Sequence, residues 1–238
     1  MIVSIDGRMG QGKTATMSTL GLEEHFQKGK KIFSTYHFFA AVMCTYCNWS
    51  HTLYLPEGEG EDSQNWIYRC YNGNPNSPEV IRKLTKEDRV MRPEYTFLNL
   101  ETFYTIFHDA DEGRTTLSNC VFLLDEAYLF ADARRSGSKV NLIFNAFIFQ
   151  SRKRGVDMYL TTHNVTRLDK RIRDAIDIKI SCRFTPSNHR IRCRMRDMHT
   201  GYRKSFGIDV TRVAGLYDTL EVVVPTGKLY KLSKADIS

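Results

Sequence analysis

The sequence predicts an α/β fold in which a central, mostly parallel sheet carries helices on both faces. Short apolar segments of strand length alternate with segments of helical spacing along most of the chain. Residues 121–124 are consecutive apolar residues, as expected for a strand covered on both faces in the middle of a parallel sheet. Close to the first residue, a strand-like segment, a glycine-rich stretch and a helix-like segment follow one another. Together these observations favour a doubly wound sheet.

Each element of this alternation has a signal of its own. Residues 2–5 predict the first strand, and the helix predicted over residues 14–28 ends before Gly29, a residue suited to close a helix. Apolar runs predict the further core strands at residues 30–35, 95–98, 121–124, 156–162 and 178–184. Helical spacing predicts the further helices at residues 100–108, 139–151 and 167–177.

We predict a single domain over residues 1–238, a length that can bury a substantial core. Residues 44–93 contain acidic, glycine-rich and turn-rich stretches and are predicted as an insertion after the second strand. Within it, residues 52–55 and 66–71 are predicted to form a hairpin. Residues 186–238 are predicted as a basic C-terminal extension.

The stretch GRMGQGKT, residues 7–14, has the spacing of the phosphate-binding P-loop. Its glycines let backbone N–H groups point at an anion, and the helix that follows adds its positive N-terminal end. Lys13 is expected to reach the β- and γ-phosphates of ATP, and Thr14 to ligate Mg²⁺. A plain glycine-rich turn is the alternative, which the flanking strand and helix disfavour. The predicted nucleotide-binding residues are Gly7, Arg8, Met9, Gly10, Gln11, Gly12, Lys13, Thr14 and Ala15.

The segment VFLLDE, residues 121–126, predicts the second half of a hydrolytic site. Asp125, at the carboxyl end of a buried strand, is expected to hold Mg²⁺ as a Walker B aspartate. Glu126 beside it can orient and deprotonate the water that attacks the γ-phosphate. A helix-capping or solvated role is the alternative for both carboxylates. The pair of motifs predicts a P-loop NTPase of the RecA/ASCE type with ATP and Mg²⁺ as cofactors.

The strand predicted at residues 156–162 ends in polar groups, where a sensor of the γ-phosphate is expected. Thr162 and His163 are both candidates, because neighbouring residues of a strand point to opposite faces. A simple strand end followed by a turn at Asn164 explains the pattern equally well.

A net charge of +7 and a pI of about 9.1 favour an anionic partner, with nucleic acid as the leading candidate. In the segment RIRCRMR an arginine occupies every second position, so a strand there would carry all the guanidinium groups on one face. Such a face can bind phosphates without reading bases, whereas a solvated or edge-protecting face is the alternative. The predicted nucleic-acid residues are Arg190, Arg192, Arg194 and Arg196. No apolar run has the length of a membrane span, and no signal peptide precedes the first strand, so a cytoplasmic location is expected.

Six cysteines are scattered along the chain. Cys120, Cys182 and Cys193 lie in or beside strand-like runs and are expected as small buried residues. A second set, Cys44, Cys47, His51 and Cys70, could ligate zinc, because its first two cysteines have the spacing of a zinc-binding pair. No second close pair of ligands follows, which disfavours zinc in the sequence alone.

The order GRMGQGKT, VFLLDEA, QSRKRGVDMYLTTHN and DAIDIKISCRF resembles the FtsK/HerA superfamily of DNA-pumping ATPases, including its Zot-like and viral genome-packaging branches. The resemblance covers roughly residues 1–36 and 95–185. It implies a strand inserted between the two Walker strands and a homo-oligomeric ring, hexameric or pentameric. The sensor strand of that superfamily ends in glutamine, whereas this one ends in Thr162 and His163. Because the P-loop begins at residue 7, we expect no domain before it.

The resemblance also implies an arginine that reaches a neighbouring subunit's γ-phosphate. Arg152 holds the matching position, three residues before Gly155, with Arg154 as the reserve. Arginine suits this role because its planar, permanently charged group stabilises charge on the transferring oxygens. A basic helix end that satisfies its own last carbonyl groups is the alternative.

The leading hypothesis is therefore an ATP-driven translocase of double-stranded DNA that packages a viral genome, with capsid proteins as candidate partners and the host cytoplasm as its location. A Zot-like ATPase that extrudes filamentous phage is an alternative, although such proteins typically carry a membrane-spanning segment. A small-molecule P-loop kinase is disfavoured by Glu126, because a kinase has no use for a water-activating base. A nucleotide-gated scaffold without activity is disfavoured by the complete hydrolytic set.

Overall fold

The computed structural model describes residues 1–56, 65–70, 78–113, 117–135, 137 and 139–217. Its α-helices are α1 (Lys13–Lys28), α2 (Leu100–Asp111), α3 (Lys139–Ser151) and α4 (Lys170–Asp174). Its strands are β1 (Ile2–Asp6), β2 (Lys31–Ser34), β3 (Ala41–Met43), β4 (Ser50–Tyr54), β5 (Ile67–Cys70), β6 (Val80–Lys83), β7 (Arg89–Met91), β8 (Tyr95–Phe97), β9 (Cys120–Leu124), β10 (Asp157–Thr162), β11 (Ile178–Thr185), β12 (Arg190–Asp197) and β13 (Arg203–Asp209).

The central sheet has eight strands in the order β13-β12-β11-β1-β10-β9-β2-β8. All neighbours from β11 to β8 pair in parallel, whereas β12 and β13 are antiparallel additions at one end. The predicted α/β P-loop fold is confirmed. One strand, β10, lies between the P-loop strand β1 and the Walker B strand β9, as the family resemblance implied.

Two hydrophobic layers cover the central sheet. Helix α1 packs on one face, and Gly21 allows close approach because a Cβ there would lie 2.6 Å from the Leu123 side chain. On the other face, α2, α3 and α4 bury residues such as Phe103, Phe144 and Ile172 against β9 and β10. All five residues of β9 are buried, as predicted for a strand covered on both faces. This double cover holds the carboxyl ends of the strands in fixed positions.

The insertion forms a separate five-stranded sheet in the order β6-β5-β4-β3-β7. The predicted hairpin is present, with β4 antiparallel to β5 and Leu53 opposite Tyr68. Ser50 Oγ donates to the Thr211 carbonyl at 2.9 Å, which joins this sheet to the segment after β13. Residues 57–64 of the acidic stretch and residues 71–77 of the turn-rich stretch lie outside the described residues.

Two expectations for the C-terminal third need correction. The helix predicted over residues 167–177 is only the five-residue α4, because Asp169 caps its start and the Asp177 carboxylate accepts from Ile2 N at 2.7 Å instead. Residues 190–209 of the predicted extension are not separate from the core but continue the central sheet as β12 and β13. Residues 218–238 lie outside the described residues. None of the described helices is both long and apolar enough to cross a membrane.

Candidate functional site

Three segments meet at the carboxyl edge of the central sheet. The P-loop joins β1 to α1, Asp125 and Glu126 follow β9, and His163 follows β10. Because β1, β10 and β9 are parallel neighbours, their carboxyl ends lie side by side. The residues predicted from separate stretches of sequence are therefore close in space.

The loop itself depends on glycine at two positions. Gly10 has a φ of 72° and Gly12 a φ of 80°, which is the left-handed region that favours glycine. At Gly12 a Cβ would also lie 2.3 Å from Ile191 Cδ1 of β12, so the loop packs directly on that strand. The Gln11 side chain is bound as well, since its Oε1 accepts from Phe184 N at 3.2 Å. Met9 is 82% exposed and points away from the packed loop.

Lys13 and Thr14 begin α1 and already contact the opposite side of the site. Lys13 is buried, and its Nζ lies 3.1 Å from His163 Nδ1 and 3.4 Å from the Arg8 carbonyl oxygen. Thr14 Oγ1 donates to Asp125 Oδ2 at 3.0 Å. The P-loop and the Walker B residue Asp125 are thus joined by a direct hydrogen bond.

Glu126 has an unusual backbone and an unusual side-chain environment. Its φ of 49° and ψ of 49° are left-handed, a conformation that a non-glycine residue rarely adopts. Its Oε1 lies 2.8 Å from His163 Nε2, and its Oε2 is buried without a hydrogen-bond partner among the described residues. Burial raises the pKa of Glu126, the Asp125 carboxylate adds to this, and the positive charge of Lys13 opposes it.

The hydrogen bonds assign one tautomer to His163. A lysine ammonium group only donates, so the His163 Nδ1 beside Lys13 must accept. The ring proton is then on Nε2, which donates to the Glu126 carboxylate. Lys13, His163 and Glu126 consequently form one connected chain across the site.

The oxygen ligands at this edge suit Mg²⁺ and a nucleotide phosphate. The Thr14 hydroxyl and the Asp125 carboxylate are adjacent hard oxygen donors, which Mg²⁺ prefers. The unpaired, buried Oε2 of Glu126 leaves an acceptor free for a water molecule. The residues present therefore fit both groups.

The two sensor candidates lie in different environments. His163 contacts Lys13 and Glu126, whereas Thr162 is fully buried and its hydroxyl donates to the Asn164 carbonyl at 3.0 Å. Thr162 is therefore held in the turn after β10, and its sensor role stays a prediction. His163 stays a prediction for that role.

Two threonines in the site were missed by sequence reasoning. Thr161 Oγ1 donates to Asp125 Oδ1 and accepts from Glu126 N, the latter at 2.9 Å. Thr35, after β2, accepts from Asp125 N at 2.9 Å. Thr35 follows β2, and Thr161 is the last residue but one of β10; both strands neighbour β9. A polar residue at the carboxyl end of a core strand was the signal by which the sequence could have identified them. Together they fix the orientation of the Walker B carboxylate.

Arg152 and Arg154 lie at the other edge of the sheet. They form a short 3-10 helix, Arg152–Arg154, immediately before β10, whereas the P-loop lies beyond the end of that strand. Six residues of strand separate the two edges by about 20 Å. Arg152 is therefore not brought to the P-loop of its own chain, and the predicted action in trans stays a prediction.

The alternating arginines of β12 form an exposed row, as the sequence predicted. Arg190, Arg192, Arg194 and Arg196 are exposed, while Ile191 and Cys193 between them are buried against the α1 side of the sheet. Neighbouring strands extend the row, because cross-strand partners share a face. We call this the basic face; it comprises Lys179, Arg183, Arg190, Arg192, Arg194, Arg196 and Arg203.

Two features of the basic face bear on its alternatives. Strand β12 lies between β11 and β13, so its arginines do not protect a sheet edge. Arg183 lies directly opposite Arg192, and Arg203 directly opposite Arg196. Like charges in such positions destabilise a sheet. The edge-protecting explanation is therefore wrong for β12, and an anionic ligand would relieve the repulsion.

Two solved structures illustrate what this chain is similar to, and the first of them supports the fold. The genome packaging NTPase B204 from Sulfolobus turreted icosahedral virus 2, in complex with ATP-gammaS, has a TM-score of 0.50 and 13% identity over 86% of this chain and 95% of its own. The N-terminal domain of zonular occludens toxin from Neisseria meningitidis has a TM-score of 0.44 and 17% identity over 91% of this chain and 98% of its own. No curated protein matches the sequence.

A family model gives the more specific result. The model of the zonular occludens toxin (Zot) family matches residues 75–213, which include the Walker B segment, β10 and the basic face. This match spans more than half of the sequence and confirms the resemblance to the Zot-like branch. The chain belongs to the zonular occludens toxin (Zot) family.

Proposed function

We propose that this protein is an ATPase that uses ATP hydrolysis to move double-stranded DNA and that it works as a homo-oligomeric ring. The observation that carries the proposal is the convergence of Lys13, Thr14, Asp125 and Glu126 at one edge of the sheet. These are the residue types that phosphate binding, metal binding and water activation require.

In the proposed reaction, the backbone of the P-loop and Lys13 bind the β- and γ-phosphates of ATP. Thr14 and Asp125 would hold Mg²⁺, which supplies positive charge to the phosphate oxygens. Glu126 accepts a proton from a water molecule, whose oxygen then attacks the γ-phosphorus. The bond from the γ-phosphorus to the bridging oxygen breaks, so ADP and inorganic phosphate are the products.

His163 is proposed to link phosphate binding to the state of Glu126. His163 holds both Lys13 and Glu126 through its two ring nitrogens. A bound γ-phosphate would compete with His163 Nδ1 for Lys13. His163 Nε2 would keep its hydrogen bond to the Glu126 carboxylate and so orient the carboxylate toward the attacking water.

The basic face is proposed as the DNA track. Arginines bind backbone phosphates whatever the base sequence, as a translocating motor requires. Helix α4 belongs to the hydrophobic layer on the same side of the sheet, and its Lys170 and Arg173 would extend the track. Arg171 is already used in the fold, because its guanidinium group binds the Asp169 carboxylate at 3.0 and 3.1 Å.

A ring is proposed because the segment of Arg152 lies at the opposite edge of the sheet from the P-loop of its own chain, so an arginine that acts on the γ-phosphate from this position would act on a neighbour's. The role of the similar protein B204, genome packaging, supports DNA as the cargo and a viral capsid as the docking partner. Membership of the Zot family favours a second candidate, the extrusion of filamentous phage by the same ATPase chemistry. A host cytoplasm is the proposed location for either activity.

The proposal is tested by the ATPase rate with and without duplex DNA and by the particle mass in solution. We expect hydrolysis that duplex DNA stimulates, in a particle of five or six chains. Phosphate transfer to a nucleoside would contradict the proposed translocase and show that the protein is a kinase. Single-stranded DNA as the stronger stimulant would select phage extrusion over packaging of a duplex.

A further inference from the structure

Three cysteines and a histidine of the insertion meet in one cluster. Cys44 and Cys47 lie on the loop between β3 and β4, His51 lies in β4, and Cys70 ends β5. The sulfur atoms and one ring nitrogen of these residues all lie within 4.8 Å of one another. The start and the middle of the insertion are thus brought together, although 26 positions separate Cys44 from Cys70.

The separations in the cluster match tetrahedral zinc. Zinc binds thiolates at about 2.3 Å, so two sulfur ligands of a tetrahedral ion lie about 3.8 Å apart. Cys44 Sγ and Cys70 Sγ are 3.7 Å apart, and so are Cys70 Sγ and Cys47 Sγ. A disulfide would need about 2.05 Å, and none of these three cysteines forms one. Cys47 Sγ lies 3.0 Å from His51 Nε2, a hydrogen bond that needs to lengthen to about 3.6 Å around the ion.

The loop has the shape of a metal-binding turn. Cys44 N donates to the Trp49 carbonyl and Asn48 N to the Cys44 carbonyl, both at 2.9 Å, which folds residues 44–49 back on themselves. Asn48 closes the turn with a left-handed φ of 59°. This fold directs Cys44 and Cys47 to the same side.

Hydrogen-bond donors surround two of the sulfur atoms, as is typical of thiolates. The backbone N–H groups of Tyr46 and Cys47 point at Cys44 Sγ, and the Tyr68 hydroxyl donates to it at 3.8 Å. Arg82 of β6 donates to Cys70 Sγ and stacks on the Tyr46 ring at 3.7 Å. Neutral thiols in an apolar core require no such donors, whereas metal-bound thiolates are commonly supported by them.

Charge and size point the same way. Three thiolates around a divalent ion leave one negative charge, which the Arg82 guanidinium group offsets. Among the described residues, the hydrophobic cluster of the insertion has five buried members, Val42, Cys44, Leu53, Tyr68 and Cys70. A core this small usually needs a metal or a cross-link to be stable.

We propose that Cys44, Cys47, His51 and Cys70 bind one Zn²⁺ ion. All four ligand positions come from the protein, so the site is closed and structural rather than catalytic. It joins β3, β4 and β5 and fixes Trp49, whose ring packs on His189 at 4.8 Å in the turn before β12. The insertion would thereby be anchored to the turn that precedes β12. This inference does not depend on the proposed ATPase activity.

The test uses the full chain and Zn²⁺ and Co²⁺ as probes. We expect one zinc per chain by elemental mass spectrometry, and Co²⁺ substitution should give intense tetrahedral visible bands with sulfur-to-cobalt charge transfer. Cys47→Ser should weaken Co²⁺ binding on the order of 100-fold and reduce the charge-transfer band. Cys120→Ala removes a buried cysteine of β9 and should leave the metal content unchanged.

A further variant covers the case in which Cys47→Ser does not fold. His51→Cys should keep the metal and strengthen the charge-transfer band, because a fourth thiolate replaces the imidazole. The proposal is overturned if the wild-type chain binds neither ion while folded. A Cys44–Cys70 disulfide in mass spectra of the purified protein, or an unchanged cobalt spectrum in folded Cys47→Ser, would also overturn it.

Discussion

Lys13, the first residue of α1, is the residue proposed to bind the β- and γ-phosphates of ATP. Lys13→Ala should lower the ATPase rate by at least about 10²-fold, because the developing charge on the phosphate oxygens loses its preorganised partner. The matched control is Lys31→Ala, an exposed lysine at the start of β2 on the far edge of the sheet. Steady-state phosphate release measures both. Wild-type turnover in Lys13→Ala would contradict the P-loop assignment.

Glu126 gives a prediction for activity. Glu126→Gln should bind ATP normally and hydrolyse it about 10²- to 10⁴-fold more slowly, since the amide keeps the shape and cannot accept the proton. Glu23→Gln, an exposed carboxylate change on α1, is the control. Nucleotide binding by calorimetry and single-turnover hydrolysis separate the two steps, and normal turnover would exclude Glu126 as the base.

The same substitution has a predicted effect on stability. Burial raises the pKa of Glu126 above 4.5, so the folded state binds this proton more tightly than the unfolded chain does. Wild-type stability is then lost as pH rises through the folded pKa, and Glu126→Gln escapes this loss. The variant should be the more stable protein at pH 7, with the difference disappearing below about pH 4.5. Urea unfolding at both pH values measures it, and a less stable variant at pH 7 would contradict the prediction.

His163 should affect turnover more than binding. His163→Ala removes the link between Lys13 and Glu126, so kcat should fall about tenfold while ATP affinity stays the same or rises, because Lys13 no longer has a competing partner. His108→Ala, an exposed histidine on α2, serves as the control. A rise in KM with unchanged kcat would show that His163 only helps to bind the nucleotide.

At the scale of elements, the basic face belongs to β12 and its neighbours. Replacing Arg192 and Arg194 with glutamine should weaken DNA binding without regard to sequence and reduce the slope of log affinity against log salt by about two. The control removes equal charge from the insertion, by Lys86→Gln with Arg89→Gln. Fluorescence anisotropy over a salt series gives both slopes. Equal slopes in the double variant and the wild type would leave the arginines as a solvated surface.

Elements formed from local signals could be predicted from the sequence. Helix α3 occupies residues 139–151 as predicted, because helical spacing and length identify it without its neighbours. The insertion was harder, since β3 pairs with β7 and places Met43 opposite Arg89, a contact that no local pattern encodes. For the same reason the motifs predicted Lys13, Asp125 and Glu126, whereas Thr35 and Thr161 required the order of the strands. The zinc-type cluster was disfavoured because its fourth ligand is distant in the chain.

At the scale of the whole molecule, Arg152 makes activity depend on assembly. Rings made only of Arg152→Ala chains or only of Lys13→Ala chains should hydrolyse ATP poorly. For Arg152→Ala we expect the ATPase rate to fall on the order of 10³-fold. Mixed rings should recover part of the activity, because the P-loop of an Arg152→Ala chain can then lie beside the Arg152 of a neighbouring Lys13→Ala chain. Mass measurement verifies the mixing, and Lys153→Ala, at the position next to Arg152, is the control. Rings shown to be mixed but inactive would argue for a helix-end role of Arg152.

The contact between Gly12 and Ile191 has a consequence for how this protein can change over time. Ile191 packs on the phosphate loop from the buried side of β12, and the arginines leave the same strand on its exposed side. Only one layer of backbone therefore separates the two surfaces, without an intervening hinge or linker. A substitution that shifts this strand alters both surfaces at once. The nucleotide site and the proposed DNA-binding face therefore cannot evolve independently of each other.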